Sequence, residues 1–92
     1  MEFLVRLANK QPPDMPADVR EQIRTAERAR AQELREAGIL VRLWRVPGTT
    51  TALGLFEAPD ATALHDALAS LPNFPWQEIT VEALATHPQE RT

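Results

Sequence analysis

Apolar and polar positions along the first eight residues alternate with the two-residue period of a half-buried strand. Phe3, Val5 and Leu7 fall on one side of this segment, and the residues between them fall on the other. A proline-rich loop follows and ends at Pro16, which suits the first turn of a helix. The pattern therefore predicts a strand over residues 1–8 and a loop leading into a helix.

The next forty or so residues, 17–57, predict one long helix and a hairpin. Residues 17–37 consist mainly of Ala, Arg, Glu and Gln, which favour helices, and Gly38 follows where a left-handed cap is needed. Two apolar or β-branched runs, 39–46 and 50–57, are then separated only by Pro-Gly-Thr at 47–49. This short glycine-containing connection predicts two antiparallel strands.

A short second helix and a last strand complete the pattern. Asp60 is a plausible N-cap, and the helix ends at Pro72. Its apolar stripe consists of Leu64, Leu68 and Leu71. Residues 76–84 alternate again, with Ile79, Val81 and Ala83 on one side. The predicted element order is therefore β-α-β-β-α-β.

This order predicts an α+β fold of the ferredoxin-like type, with a four-stranded antiparallel sheet and both helices on one face. We expect a single domain over residues 1–85 and a polar tail over 86–92. The other sheet face would then be bare. Its expected residues are Leu4, Arg6, Arg42 or its neighbours, Trp44 and Trp76. Because such a surface is too apolar for a monomer, we expect sheet-to-sheet dimerisation or a ligand cleft there.

Composition narrows the possible functions. The 92 residues include two histidines and no cysteine, which excludes disulfides and thiolate metal sites. The formal net charge is −3, which disfavours nucleic-acid binding. The chain has neither an apolar run of membrane-spanning length nor the pattern of a signal peptide at its start, so we expect a cytoplasmic protein. Residues 1–46 carry a net charge of +2 and residues 47–92 one of −5. The basic segment suits subunit contacts, an anionic small molecule or a solvated helix face.

Two charged residues intrude on the apolar stripe of the long helix. On a helical wheel Arg30 lies at the centre of the stripe formed by Val19, Ile23, Ala26, Leu34 and Ala37, with Glu27 on its flank. Glu27 and Arg30 are three residues apart, so one hypothesis is an ion pair at the helix edge. The other is a carboxylate beside a cavity, where desolvation raises its pKa toward that of a general base.

The remaining polar and aromatic residues give weaker signals. His65 and Asp66 are consecutive on a helix, so their side chains diverge and do not form a catalytic pair. His65 is expected to bond a neighbouring element or face solvent, and His87 lies in the tail without an assigned role. Trp44 and Trp76 suit either packing or the aromatic wall of a ligand cleft.

A set of short strings carries a family resemblance. They are MEFLVR (1–6), PDM (13–15), Glu27, LWR (43–45), Gly48, LHD (64–66), LPNFP (71–75) and HP (87–88). Together they resemble the muconolactone isomerase family from residue 1 to about 88. The resemblance implies a dimeric α/β barrel that pairs sheet to sheet and assembles into larger homo-oligomers, decamers in the enzymes of aromatic compound catabolism.

The resemblance also implies a reaction. Family members move a proton within the unsaturated lactone muconolactone to give 3-oxoadipate enol-lactone, without a cofactor. Glu27 matches the family glutamate expected to shuttle the proton. Arg45, with Arg42 or Arg6, is expected to bind the substrate carboxylate and stabilise the dienolate. Three aromatic residues, Trp44, Phe74 and Trp76, are expected to shape an apolar cleft between subunits.

The chain departs from the family at several positions. Family enzymes are more polar where this chain has Leu4, Thr49, Thr50 and Ala52, have histidine at Arg42, and are apolar at Arg30. Because specificity depends on pocket contacts, a related lactone, enol or polyketide-like acid remains an alternative substrate. Two other classes also stay open. One is a noncatalytic ligand-binding or assembly module, and the other is a small monooxygenase of the same barrel type.

Overall fold

The computed structural model describes residues 1–91. In chain order the elements are β1 (Glu2–Asn9), α1 (Ala17–Glu36), β2 (Leu40–Arg45), β3 (Ala52–Glu57), α2 (Ala61–Ala69) and β4 (Gln77–Leu84). Two short 3₁₀ turns, Phe74–Trp76 and Pro88–Glu90, flank β4. The strands form one antiparallel sheet in the order β2-β3-β1-β4. The predicted ferredoxin-like α+β fold is therefore confirmed.

A single apolar core lies between the sheet and the two helices. Its buried side chains include Phe3, Val5 and Leu7 of β1, Leu34 of α1, Phe56 of β3, and Leu64 and Leu68 of α2. Since residues of both helices pack into one core with the same face of β1, both helices cover that face of the sheet. Each large side chain buried here contributes about 1.5–3 kcal/mol to stability.

The helices end where the sequence provides stop signals. Gly38, at φ +77°, follows α1 in the left-handed region that glycine adopts without strain. The Asp60 carboxylate caps α2 by accepting a hydrogen bond from Ala63 N–H at 2.8 Å, as predicted. Pro16 is not in the first turn as expected, because its ψ of 140° places it just before the helix. Within residues 1–91, no helix is long and apolar enough to cross a membrane.

A β-bulge in β2 determines which of its side chains face the helices. Leu40 pairs with Phe56, but Arg42 already pairs with Leu55, so Val41 is an extra residue on β2. The bulge reverses the alternation, and from there on Leu43 and the other odd-numbered positions face the helices. The sequence pattern did not reveal this irregularity.

The face of the sheet opposite the helices is bare, as predicted. Its central residues, from β2 to β4, are Arg42, Trp44, Leu53, Leu55, Leu4, Arg6, Thr80 and Glu82, as the strand registers place them. We call this surface the outer face. Trp44 is 40 % exposed there, and its ring lies 5.4 Å from the Arg42 guanidinium carbon, within cation–π range.

Trp76 lies just before the last strand and not within it, which corrects the predicted strand limit. The predicted strand 76–84 begins one residue later, at Gln77, because Trp76 belongs to the 3₁₀ turn. Its backbone N–H donates to the Asn73 carbonyl at 3.0 Å, which closes that turn, and its own carbonyl accepts from Lys10 N–H at 2.7 Å beside the end of β1. Pro75, which has no N–H to donate to a strand ladder, favours the turn at this position.

Candidate active site

A cleft of about 710 Å³ opens at the end of the sheet where β1 and β2 finish and β3 and β4 begin. Helix α1 covers it with residues from Arg20 to Leu34, and the loop after β1 brings the start of the helix to this end. The polar residues lining it are Asn9, Gln11, Arg20, Arg24, Glu27, Arg28, Arg45, Thr50, Asn73 and Gln77. The apolar ones include Leu7, Ile23, Ala31, Leu43 and Ala52.

The floor of the cleft runs across the strands. Arg45 of β2 pairs with Ala52 of β3, and Ala52 pairs with Leu7 of β1. Further along, Asn9 of β1 pairs with Gln77 of β4. Neighbouring strands are about 4.8 Å apart, so the β2 and β4 edges of the floor are about 14 Å apart. One edge of the cleft therefore carries an arginine and the other carries amide side chains.

Glu27 faces this cleft from α1. Its Oε2 accepts a hydrogen bond from the backbone N–H of Asn73 at 2.8 Å, and its side chain is half-buried. Burial raises the pKa of Glu27 above the ordinary range of a glutamate, and the hydrogen bond from Asn73 acts in the opposite direction. A carboxylate made more basic by burial, beside an open cavity, is suited to abstract a proton.

The ion pair expected between Glu27 and Arg30 is absent from residues 1–91, so that hypothesis is wrong. Arg30 instead donates to Glu33 Oε2 at 3.0 Å and to Ser70 Oγ at 2.9 Å. The reason is that Arg30 points toward the end of α2, where Ser70 lies, whereas Glu27 turns into the cleft. The carboxylate of Glu27 is therefore not neutralised by its neighbour on the helix.

Four arginines line the cleft, and only Arg45 among them was singled out from the sequence. Arg20, Arg24 and Arg28 are spaced four apart and so share one face of α1. That spacing, on the same helix as Glu27, was the signal available in the sequence. Arg45 donates to the Thr50 carbonyl, which fixes its guanidinium at the β2 edge. Because Glu27 is the one acid that lines the cleft in the described part of the chain, the site favours anionic ligands.

Arg6, Arg42 and Trp44 were expected beside the substrate, but the structure places them on the outer face. The sheet separates them from the cleft of the same chain because alternate side chains of a strand point to opposite faces. The structure thus does not bring Arg6 or Arg42 together with Arg45. A substrate-binding role for these three residues stays a prediction.

Phe74 and Trp76 flank the cleft without lining it, although Asn73 and Gln77 beside them do. Phe74 packs edge-on against His65, with ring centroids 6.1 Å apart, and this gives His65 a packing role. His87 accepts a hydrogen bond through Nδ1 from Gln89 N–H in the last 3₁₀ turn. The substrate-binding role of Phe74 and Trp76 also stays a prediction.

Asn73 is a buried polar residue of the site that the sequence analysis missed. Asn73 is only 8 % exposed, which is unusual for an asparagine, and its backbone N–H donates to Glu27; the sequence did not single it out because its burial depends on distant elements. Its Oδ1 accepts a hydrogen bond from Gln11 Nε2 at 2.9 Å.

Among residues 1–91, no three His, Asp or Glu side chains gather closely enough to hold a metal ion.

Comparisons with known proteins agree on one family. The family model described as muconolactone delta-isomerase matches residues 1–90. Muconolactone Delta-isomerase of Pseudomonas aeruginosa is 38 % identical over 96 % of this chain and 92 % of its own length. The enzyme of that name from Cupriavidus pinatubonensis is 39 % identical, with 96 % of each chain covered. A crystal structure of muconolactone isomerase superposes with a TM-score of 0.92 at 36 % identity, covering 100 % of this chain and 96 % of the other. The chain therefore belongs to the muconolactone delta-isomerase family.

Proposed function

We propose that this protein is a cofactor-independent isomerase that converts muconolactone, or a closely related unsaturated lactone acid, by moving one proton. The observation that carries the proposal is the Glu27 carboxylate, half-buried and facing a cleft that also contains Arg45. Similarity to muconolactone delta-isomerases over nearly the whole chain supports the same reaction. The enzyme would act in the breakdown of aromatic compounds, in the cytoplasm.

Glu27 would serve as both base and acid. Its carboxylate removes a proton from a ring carbon of the lactone, and the electron pair of that C–H bond enters the conjugated system to form a dienolate. The same carboxyl group then returns the proton to another carbon of that system. The C=C bond has moved by one position, and no atom or electron has been gained or lost. One carboxyl group whose pKa is raised by burial is sufficient for both steps.

The arginines would bind the anionic parts of the reacting molecule. Arg45 is held by Thr50 at the β2 edge, so its remaining guanidinium donors are free to take the substrate carboxylate in a bidentate contact. Arg24 and Arg28 face the same cleft from α1 and would stabilise the negative charge that develops on the dienolate.

The positions at which this chain departs from its family lie in different parts of the structure. Thr50 and Ala52 line the cleft, whereas Leu4 and Arg42 lie on the outer face. Both cleft positions are at the β2 edge, next to Arg45. If the substrate differs from muconolactone, the difference therefore lies at the end of the molecule near its carboxylate.

The outer face would be covered by a second copy of the chain, in a homodimer that can assemble further. Its apolar residues, Leu4, Leu53, Leu55 and Trp44, lie side by side across three strands. Trp44 is 40 % exposed in the single chain, and a contiguous apolar surface of this kind is typical of an interface.

Proton NMR of muconolactone in D₂O tests the reaction. The wild-type protein and Glu27→Gln are compared under identical conditions, because the spectra report both product formation and the entry of deuterium at carbon. We expect isomerisation or deuterium entry with the wild type and a loss of about 10²–10⁴-fold in the variant. Absence of both signals with folded wild-type protein would exclude muconolactone, and equal rates in the variant would exclude Glu27 as the base.

A further inference from the structure

A hydrogen bond between two side chains joins the loop after β1 to the turn after α2. Gln11 Nε2 donates to Asn73 Oδ1 at 2.9 Å, although 62 residues separate them along the chain. Gln11 is itself fixed, because its backbone N–H donates to Asn9 Oδ1 at 3.1 Å. We call this side-chain pair the Gln11–Asn73 bridge.

The same asparagine touches Glu27 through its backbone. Asn73 N–H donates to Glu27 Oε2 at 2.8 Å, so the bridge holds the peptide group that supplies this donor. The turn around Asn73 is short and internally bonded, since Phe74 N–H donates to the Leu71 carbonyl at 2.9 Å. Displacing the Asn73 side chain therefore displaces its backbone N–H relative to Glu27.

The burial of Asn73 makes the bridge sensitive to the loss of either partner. Asn73 is 8 % exposed, and a buried amide left without its partner is strongly disfavoured. Replacing one partner with leucine leaves the other amide unsatisfied, and the turn is expected to shift so that it reaches water. Replacing both partners with leucine removes the two polar groups together, and the apolar side chains can pack against each other with little cost.

We propose that Gln11 and Asn73 are positioning residues for Glu27. By fixing the turn after α2, their bridge keeps the Asn73 N–H on one carboxylate oxygen, so that the other oxygen points at the substrate. This inference rests on the proposed function only as far as the substrate is concerned. The geometry that it assigns to Glu27 is a property of the protein alone and is measurable without any substrate.

The substitutions that test this proposal leave the charged groups facing Glu27 unchanged. Arg20, Arg24 and Arg28 face the cleft from α1, Arg45 faces it from β2, and Glu27 is the one acid among residues 1–91 that lines it. Gln11→Leu and Asn73→Leu replace neutral side chains by neutral ones. Any change in the titration of Glu27 therefore reports on the hydrogen bond and the burial of the carboxylate, and not on a changed charge nearby.

The experiment compares Gln11→Leu, Asn73→Leu and the double variant with the wild type. The pKa of Glu27 is measured by carboxyl ¹³C NMR without substrate, and kcat is measured across pH with muconolactone. In each single variant we expect the pKa of Glu27 to rise and kcat at neutral pH to fall about tenfold, because the donor to the charged form is displaced. In the double variant we expect both quantities to return most of the way to wild type.

A matched control separates positioning from a general loss of stability. Gln32 also donates through Nε2 to a side chain, Glu36, but on the exposed part of α1 away from the cleft. Gln32→Leu is expected to leave the Glu27 titration and kcat unchanged. If the single variants lower Tm but leave the Glu27 pKa as in wild type, the bridge is merely structural and the proposal fails. If their pKa shifts as expected while wild type does not turn over muconolactone, the bridge stands and the proposed substrate fails.

Discussion

Glu27 Oε2 and the backbone N–H of Asn73 are joined by a 2.8 Å hydrogen bond that links the middle of α1 to the turn after α2. The contact opposes the effect of burial on the carboxylate, so the pKa of Glu27 is raised less than burial alone would raise it. A carboxylate held in this way is more basic than an exposed glutamate and keeps a fixed position beside the cleft. The predictions below follow from this contact and from the elements that place it.

The pH dependence of the reaction is expected to follow Glu27. Because the base must be ionised, kcat/KM should rise with pH through the raised pKa of Glu27 in the free enzyme and level off above it. The measurement is kcat/KM from acidic to neutral pH. A midpoint at or below the ordinary glutamate value would contradict burial as the dominant influence on this group.

Glu27→Gln is expected to stabilise the fold at neutral pH while it lowers activity by about 10²–10⁴-fold. A carboxyl group whose pKa is higher in the folded than in the unfolded state binds more protons when folded, so its contribution to stability falls as pH rises through these values. The glutamine amide carries no charge at any of these pH values, so the variant does not lose this stability as pH rises. Thermal unfolding of both proteins should show Tm of the variant higher at neutral pH, with the difference shrinking in acid.

Arg45→Gln is expected to raise KM about tenfold or more, because a charged hydrogen bond to the substrate carboxylate contributes about 1.5–3 kcal/mol. Arg35→Gln, on an exposed helix position outside the cleft, is the matched control and should leave KM unchanged. The KM of each variant is measured by steady-state kinetics. Equal KM values for the two would remove Arg45 from the binding site.

Gly54→Ala is expected to destabilise the protein by about 1–3 kcal/mol. An added Cβ would lie 2.6 Å from Phe56 Cε1, and the Phe56 ring is fully buried and cannot move away freely. The loss corresponds to a fall in Tm of several degrees in a chain of this size. Chemical denaturation of the variant against wild type measures it, and an unchanged midpoint would show that the core accommodates the methyl group.

Trp44→Glu is expected to weaken self-association, because it places a charge in the middle of the outer face. Val19→Glu puts the same side chain on an exposed position of α1, at 37 % exposure compared with 40 % for Trp44. Light scattering at matched concentrations should show smaller particles only for the first variant. The same size for both would contradict pairing through the outer face.

Local signals were sufficient to predict the elements. The alternation of Phe3, Val5 and Leu7 defines β1, and Asp60 caps α2, because both depend on residues close in sequence. The limits of the strands and of α1 lie within two residues of the predicted ones, but α2 ends at Ala69 and not at Pro72, because Ser70 already acts as its C-cap. Glycines and prolines end the elements where the backbone requires them, as Gly48 does in the hairpin at φ +79°.

Contacts between distant parts of the chain were beyond the sequence pattern. The helical wheel placed Glu27 beside the core correctly, but its partner Asn73 lies 46 residues away. The wheel also paired Glu27 with Arg30, because it could not show that Ser70 would lie within reach of the Arg30 guanidinium. A wheel describes one helix, whereas these contacts depend on the angle at which two elements pack.

Because β2 contains a bulge, the face that each later residue of the strand occupies depends on its pairing with β3. The extra residue, Val41, directs Trp44 to the outer face and Arg45 to the cleft, so one strand serves two surfaces. Substitutions at either position change one surface and leave the other intact. Deleting Val41 would remove the bulge but keep every face, because Leu40 would still oppose Phe56 and Arg42 would still oppose Leu55. Inserting one residue between Arg42 and Trp44 would instead make Trp44 and Arg45 exchange faces. Such an insertion should therefore be far less acceptable than deletion of Val41, whereas the exposed turn at 47–50 should tolerate an insertion.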